Sequence, residues 1–171
     1  MKDVMNLGLR LMVIALIAGL LLGATNVLTQ DRIAEQNLRR ANEARMAVMP
    51  GNETFETVFE DAQAQTGITG VYACPDGYVY TVCAQGYGSS GVTATVGIQN
   101  DGRISGVRFD ASSETPGLGA KAGSAAYYDQ YAGVTADTVE SVSAISGATI
   151  TSNAAKSAVA QALAHFQEHY R

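Results

Sequence analysis

The chain has 171 residues, a formal net charge of -5 and a pI near 4.9. Its acidic balance carries no basic stripe, which excludes nucleic acid as a partner, and a 47% share of hydrophobic residues excludes a disordered chain. With an N-terminal apolar segment set aside, the length leaves room for one domain with its own core.

Leu7 to Leu28 is the most apolar stretch, with no polar residue between Leu11 and Ala24. As a helix it spans about 33 Å, enough to cross a hydrocarbon core of roughly 30 Å, and Arg10 near one end can snorkel to the interface. No Ala-x-Ala site follows, so residues 1–30 read as a short tail and an uncleaved signal anchor in the lipid bilayer. Lys2 and Arg10 precede the span and Arg32, Arg39, Arg40 and Arg45 follow it, so charge leaves the orientation open. Residues 31–50 read as a linker helix. Ile33, Leu38, Ala41, Arg45 and Val48 recur near helical spacing, the first half reads as a solvated stalk, and Pro50-Gly51 stops the run. Residues 51–171 then form the domain, with Phe55, Val58 and Phe59 as an apolar patch that docks its first segment.

The next stretch is rich in strand signals. Val71 to Cys74, a Pro75-Asp76-Gly77 turn and Tyr78 to Ala84 read as a hairpin. Val92, Ala94, Val96 and Ile98 alternate with Thr93, Thr95, Gly97 and Gln99, a half-buried strand; Asn100-Asp101-Gly102 turns it, and Arg103 to Asp110 returns as its partner. Gly86 to Gly91 between the hairpins lacks the Lys-Ser/Thr ending of a phosphate loop, so it reads as a glycine-rich connection. Counted from the first turn, Cys74 lies opposite Tyr78 or Val79 and Cys83 opposite Thr69 or Gly70. That is too far apart for a disulfide unless the register is irregular, and the default expectation is two buried free thiols.

Thr115-Pro116-Gly117-Leu118 suits a type II turn, with Pro fixing φ and Gly taking a positive φ. Tyr127, Tyr128 and Tyr131 sit at helical spacing and read as core and rim. The last helix, from about Asn153 to Tyr170, places Ala155, Ala158, Val159, Ala162, Leu163 and Phe166 on one face. His165 and His169 lie four apart on it, but no third ligand accompanies them, so no metal site is expected. Just before this helix stand Ser146-Gly147-Ala148-Thr149-Ile150-Thr151-Ser152. Their hydroxyls favour turn and cap geometry, and a helix N-terminus beside them would attract a phosphate. On spacing alone the segment is an ordinary N-cap; the alternative is a loop that offers a hydroxyl for modification.

Two motifs, in the same order and behind one anchor, resemble the G subunit of the Rnf ion-translocating electron transport complex. The C subunit of the sodium-translocating NADH:quinone oxidoreductase carries a related FMN-binding domain. Ser146-Gly147-Ala148-Thr149 with Thr151-Ser152 is similar to the family's flavinylation motif, and Glu114-Thr115-Pro116-Gly117-Leu118-Gly119 to its Glu-Thr-Pro-Gly-Leu-Gly segment. Gly86-Tyr87-Gly88 also resembles a family segment. Where the family usually has Asp, three residues before the motif's Ser, this chain has Ser143. The resemblance implies an α+β fold: one transmembrane helix, then an FMN-binding domain with a twisted, mostly antiparallel sheet and flanking helices. It implies FMN joined through its phosphate to Thr149, with Ser146, Gly147, Ala148, Glu114, Thr115, Gly117, Leu118 and Gly119 as the surrounding cofactor site. It further implies a place in a ferredoxin:NAD oxidoreductase complex of the cell membrane, the domain outside the cytoplasm, other subunits as partners, and a flavin transferase for maturation. No catalytic residue is expected in this protein by itself. Lys156 reads either as a surface residue or as a counter-charge for the phosphate. Two rival readings remain, a stand-alone extracytoplasmic flavoprotein reductase and a membrane-tethered assembly or binding subunit without a redox cofactor.

Overall fold

Alternation of side chains from Val92 to Ile98 decides which way the sheet faces. Val92, Ala94, Val96 and Ile98 are all buried on one side of their strand, while Thr93 and Thr95 on the other are only half-buried. In the computed structural model, which describes residues 2–61, 64 and 66–170, that strand is β4 (Val92–Gln99) of a five-stranded antiparallel sheet. The others are β1 (Glu56–Glu60), β2 (Gly67–Cys74), β3 (Gly77–Ala84) and β5 (Ile104–Asp110), and they pair in sequence order. Residues 1 and 171, the outer bounds of the expected anchor and domain, lie outside the described residues.

The chain divides into two compact units, Met1–Asn42 and Glu43–Arg171. The first consists of most of α1 (Lys2–Val48), whose apolar stretch is long and apolar enough to cross a membrane and is exposed throughout its described length. In the second unit, α3 (Thr149–His169) lies against β3 and β4. Its buried stripe, Ala155, Ala158, Val159, Ala162, Leu163 and Phe166, meets Tyr80, Val82, Ala94, Val96 and Ile98 in the main core. Three buried alanines on that stripe let the helix axis approach the sheet closely. A short α2 (Ala125–Tyr128) and adjoining 3-10 turns close the far edge, where Tyr127 and Tyr131 pack with Phe109. A second, smaller cluster contains Val48, Met49, Tyr72 and Val79, with Arg45 lying 3.6 Å over the Tyr72 ring.

The α+β fold, both hairpins and the helical stripe agree with the sequence. Four local expectations need correction. Residues 56–60 form an edge strand rather than a docked patch: Phe55 is half-buried beside the second cluster, but Val58 and Phe59 are 49% and 48% exposed. The hairpin register also differs, because Pro75 and Asp76 alone form the turn and a bulge between Ile68 and Gly70 shifts the far end by one further residue. Cys74 faces Gly77 and Cys83 faces Gly67, at opposite ends of the β2–β3 pair. Both are free thiols, as expected, yet half-buried rather than buried. Finally, the last helix begins at Thr149 and not near Asn153, which puts Thr149 in the first helical turn.

Candidate functional site

Two tight turns built alike stand side by side. In the first, the Leu118 N–H donates to the Thr115 carbonyl at 3.1 Å, and Gly117 takes φ 77°. In the second, the Ala148 N–H donates to the Ile145 carbonyl at 3.0 Å, and Gly147 takes φ 78°. A positive φ at the third position is what a type II turn requires and what glycine supplies without steric cost. The Leu118 side chain comes so close to the second turn that a Cβ on Gly147 would touch its Cδ2, at 3.4 Å.

The second turn is fastened to α3 by Ser152, which is fully buried. Its Oγ accepts from the Ile145 N–H at 2.9 Å and donates to the Ala148 carbonyl at 2.9 Å. The N-cap position falls on Ala148, which gives no side-chain hydrogen bond to the helix. The ordinary capping role for the hydroxyls is therefore not the one they fill. Of the four, Thr151 and Ser152 are buried and hydrogen-bonded, while Ser146 and Thr149 are exposed.

Thr151 donates its hydroxyl to Glu114 Oε2 at 2.5 Å. Glu114 is only 2% exposed, and it also accepts from the Gly88 N–H on Oε1 at 2.9 Å and the Tyr87 N–H on Oε2 at 3.3 Å. Burial pushes its carboxyl upward, but the Thr151, Gly88 and Tyr87 hydrogen bonds together outweigh that and hold it below the usual carboxylate range. The side chain is thus an ionised acceptor at neutral pH.

Around these groups lies a cleft of about 460 Å³ lined by Tyr87, Glu114, Thr115, Leu118, Gly119, Gly147, Ala148, Thr149, Ile150 and Thr151. Clefts of that size hold drug-sized ligands. Seven of the nine residues picked from sequence line it; Ser146 and Gly117, both exposed at the outer corners of their turns, do not. Tyr87, Ile150 and Thr151 line it without having been picked. The signal for Tyr87 was an aromatic flanked by two glycines, and the structure leaves it 72% exposed. With Leu118 at 44% and Ile150 at 55% exposed, the rim offers apolar surface that no other part of the chain covers among the described residues. Lys156 is spent elsewhere, donating to the Glu140 carbonyl at 3.0 Å. Among the described residues no group of three or more His, Cys, Asp or Glu could hold a metal ion, and His165 and His169 stack on each other at 4.0 Å.

This architecture is that of a known class. The model of the FMN-binding domain family matches residues 86–164, a span that holds the cleft and most of α3. Its donor set suits such a ligand: an exposed hydroxyl and a helix N-terminus for a phosphate, and apolar side chains for a flat ring system. The particular family follows from the whole chain. The RnfG N-terminal region matches residues 1–47. Over 97% of its length the chain is 33% identical to the G subunit of the Na(+)-translocating ferredoxin:NAD(+) oxidoreductase complex of Acetobacterium woodii, covering 93% of that protein. Over 86% of its length it is 26% identical to the G subunit of the proton-translocating ferredoxin:NAD(+) oxidoreductase complex of Clostridium ljungdahlii, covering 83%. The chain belongs to the family of Rnf complex G subunits.

Proposed function

We propose that this protein is the electron-relay subunit of a membrane-bound, ion-translocating ferredoxin:NAD oxidoreductase complex and carries FMN joined by a phosphoester to Thr149. One observation carries the attachment point: of the exposed hydroxyls on the cleft wall, Thr149 is the one in the first turn of a helix, and the cap residue of that helix supplies no side-chain acceptor. The unpaired N–H groups and positive dipole end of that turn favour a phosphate. Leu118, Ile150 and Tyr87 would flank the ring, and the Thr115 hydroxyl would face its polar edge. When bound, FMN supplies one- or two-electron transfer, and the chain's residues hold it, orient it and set its electrostatic surroundings.

The partners in this reading are the other subunits of the complex, the bilayer around α1 and a flavin transferase that loads Thr149. We place the domain, residues 51–171, outside the cytoplasm, where a covalent bond keeps the cofactor from being lost by dilution. The two relatives are named for different ions, sodium and the proton, so the reading stops at electron relay. The test is fluorescence of the protein band on a denaturing gel after co-expression with a flavin transferase. Wild type is expected to fluoresce and Thr149→Val to be dark; a dark wild-type band would overturn the proposal.

A further inference from the structure

Glu114 looks from sequence like a ligand of the cofactor, yet its oxygens are already committed. Three donors from two separate elements converge on one carboxylate: the Tyr87 and Gly88 N–H groups of the glycine loop, and the Thr151 hydroxyl of α3. Two glycines make room for it. A Cβ on Gly86 would collide with Oε1, and one on Gly119 would lie 2.5 Å from the Thr151 hydroxyl and 2.8 Å from Oε2. A buried anion is also a poor neighbour for a phosphate, since like charges repel strongly where water is excluded.

We propose that Glu114 is the positioning residue of the attachment site, a clasp that joins the Tyr87–Gly88 loop to the first turn of α3 and so fixes where the Thr149 hydroxyl stands in the cleft. The clasp also separates two threonines that sit two residues apart. Thr151 is buried with its hydroxyl hydrogen-bonded to Glu114, whereas Thr149 stays exposed and open to modification. The proposal rests on the reading of Thr149 as the attachment point only for its consequence; the clasp itself is a property of the protein before any flavin is bound.

Glutamine tests it because it keeps the shape and loses one acceptor. With a single carbonyl oxygen, Glu114→Gln can serve the Oε2 side or the Oε1 side but not both, and its NH₂ would oppose a donor at the other. Amide hydrogen exchange on the full-length protein lacking flavin reads both ends: Gly88 on the loop, Ile145 and Ser152 at the start of α3. In Glu114→Gln, exchange is expected to quicken by about tenfold or more at one end at least, Gly88 or the Ile145 and Ser152 pair, the scale of one lost hydrogen bond to a charged group. Loading by a flavin transferase should fall with it. Thr151→Val should quicken Ile145 and Ser152, while Thr151→Ser, which keeps the donor, restores wild-type exchange and loading. Unchanged exchange in folded Glu114→Gln would overturn the clasp, as would failure of Thr151→Ser to restore what Thr151→Val loses. If wild type itself never takes flavin, the proposed function fails while the exchange result still decides the clasp.

Discussion

The two ends of α3 are held by different physics. At its C-terminal end Phe166 is 1% exposed and meets the Tyr78 ring edge-on at 5.9 Å, Tyr170 stacks on Tyr78 at 4.0 Å, and His165 Nδ1 lies 3.3 Å from the Tyr80 hydroxyl. At its N-terminal end the residues are small, and the connections are directional hydrogen bonds through Ser152, Thr151 and Glu114. Buried area tolerates small sliding; hydrogen bonds fix distance and angle. The end that has to present one hydroxyl in one place is the end built from directional contacts, and the other end anchors the helix.

That contrast can be broken from either side. Phe166→Ala should cost the most, about 3–5 kcal/mol of stability in a denaturant titration, because it empties a filled core site. Ser152→Ala should cost about 1 kcal/mol, since it strands the half-buried Ile145 N–H, and its exchange effect should stay near the second turn. Acid should separate the ends in order. His165 is held below the ordinary His range by burial first and then by His169, against a weaker opposite pull from Glu168. A depressed value means the folded state takes the proton less readily than the unfolded chain. The contribution of His165 is therefore complete above the unfolded value of about 6.5 and is lost as pH falls below it. Glu114 has the same sign at a lower window: its contribution is complete above an unfolded value of about 4.3 and is lost as pH falls through its lowered folded value. Protection of the Tyr170 amide, which donates to the Phe166 carbonyl, taken relative to its intrinsic exchange rate at each pH, should therefore fall at a higher pH than protection of Ser152. Thr149→Val should have the smallest effect on stability, within about 0.5 kcal/mol, as an exposed substitution that leaves the clasp intact.

The aromatic end and the sheet were legible because burial leaves a period in the sequence. Alternation marked β4, and the three-and-four spacing from Ala155 to Phe166 marked the inner face of α3. β1 was not legible, since Glu-Thr-Val-Phe-Glu is exposed on both faces of an edge strand and so shows no alternation of burial. The helix start was displaced by Thr149, Thr151 and Ser152, residues that look like turn and cap formers but here lie within the first turn of α3. Two motifs led to most of the cleft, but not to its organisation. Nothing in the local sequence marks Glu114 as buried or pairs it with Thr151, thirty-seven residues away, because that contact exists only once the loop, the turn and the helix meet.

The most direct measurement is mass spectrometry of the tryptic peptide covering residues 122–156, taken from full-length protein made in cells that contain a flavin transferase. The account predicts one FMN added through its phosphate, with fragmentation placing it on Thr149. An unmodified peptide, or FMN on Ser146, Thr151 or another side chain, would contradict it.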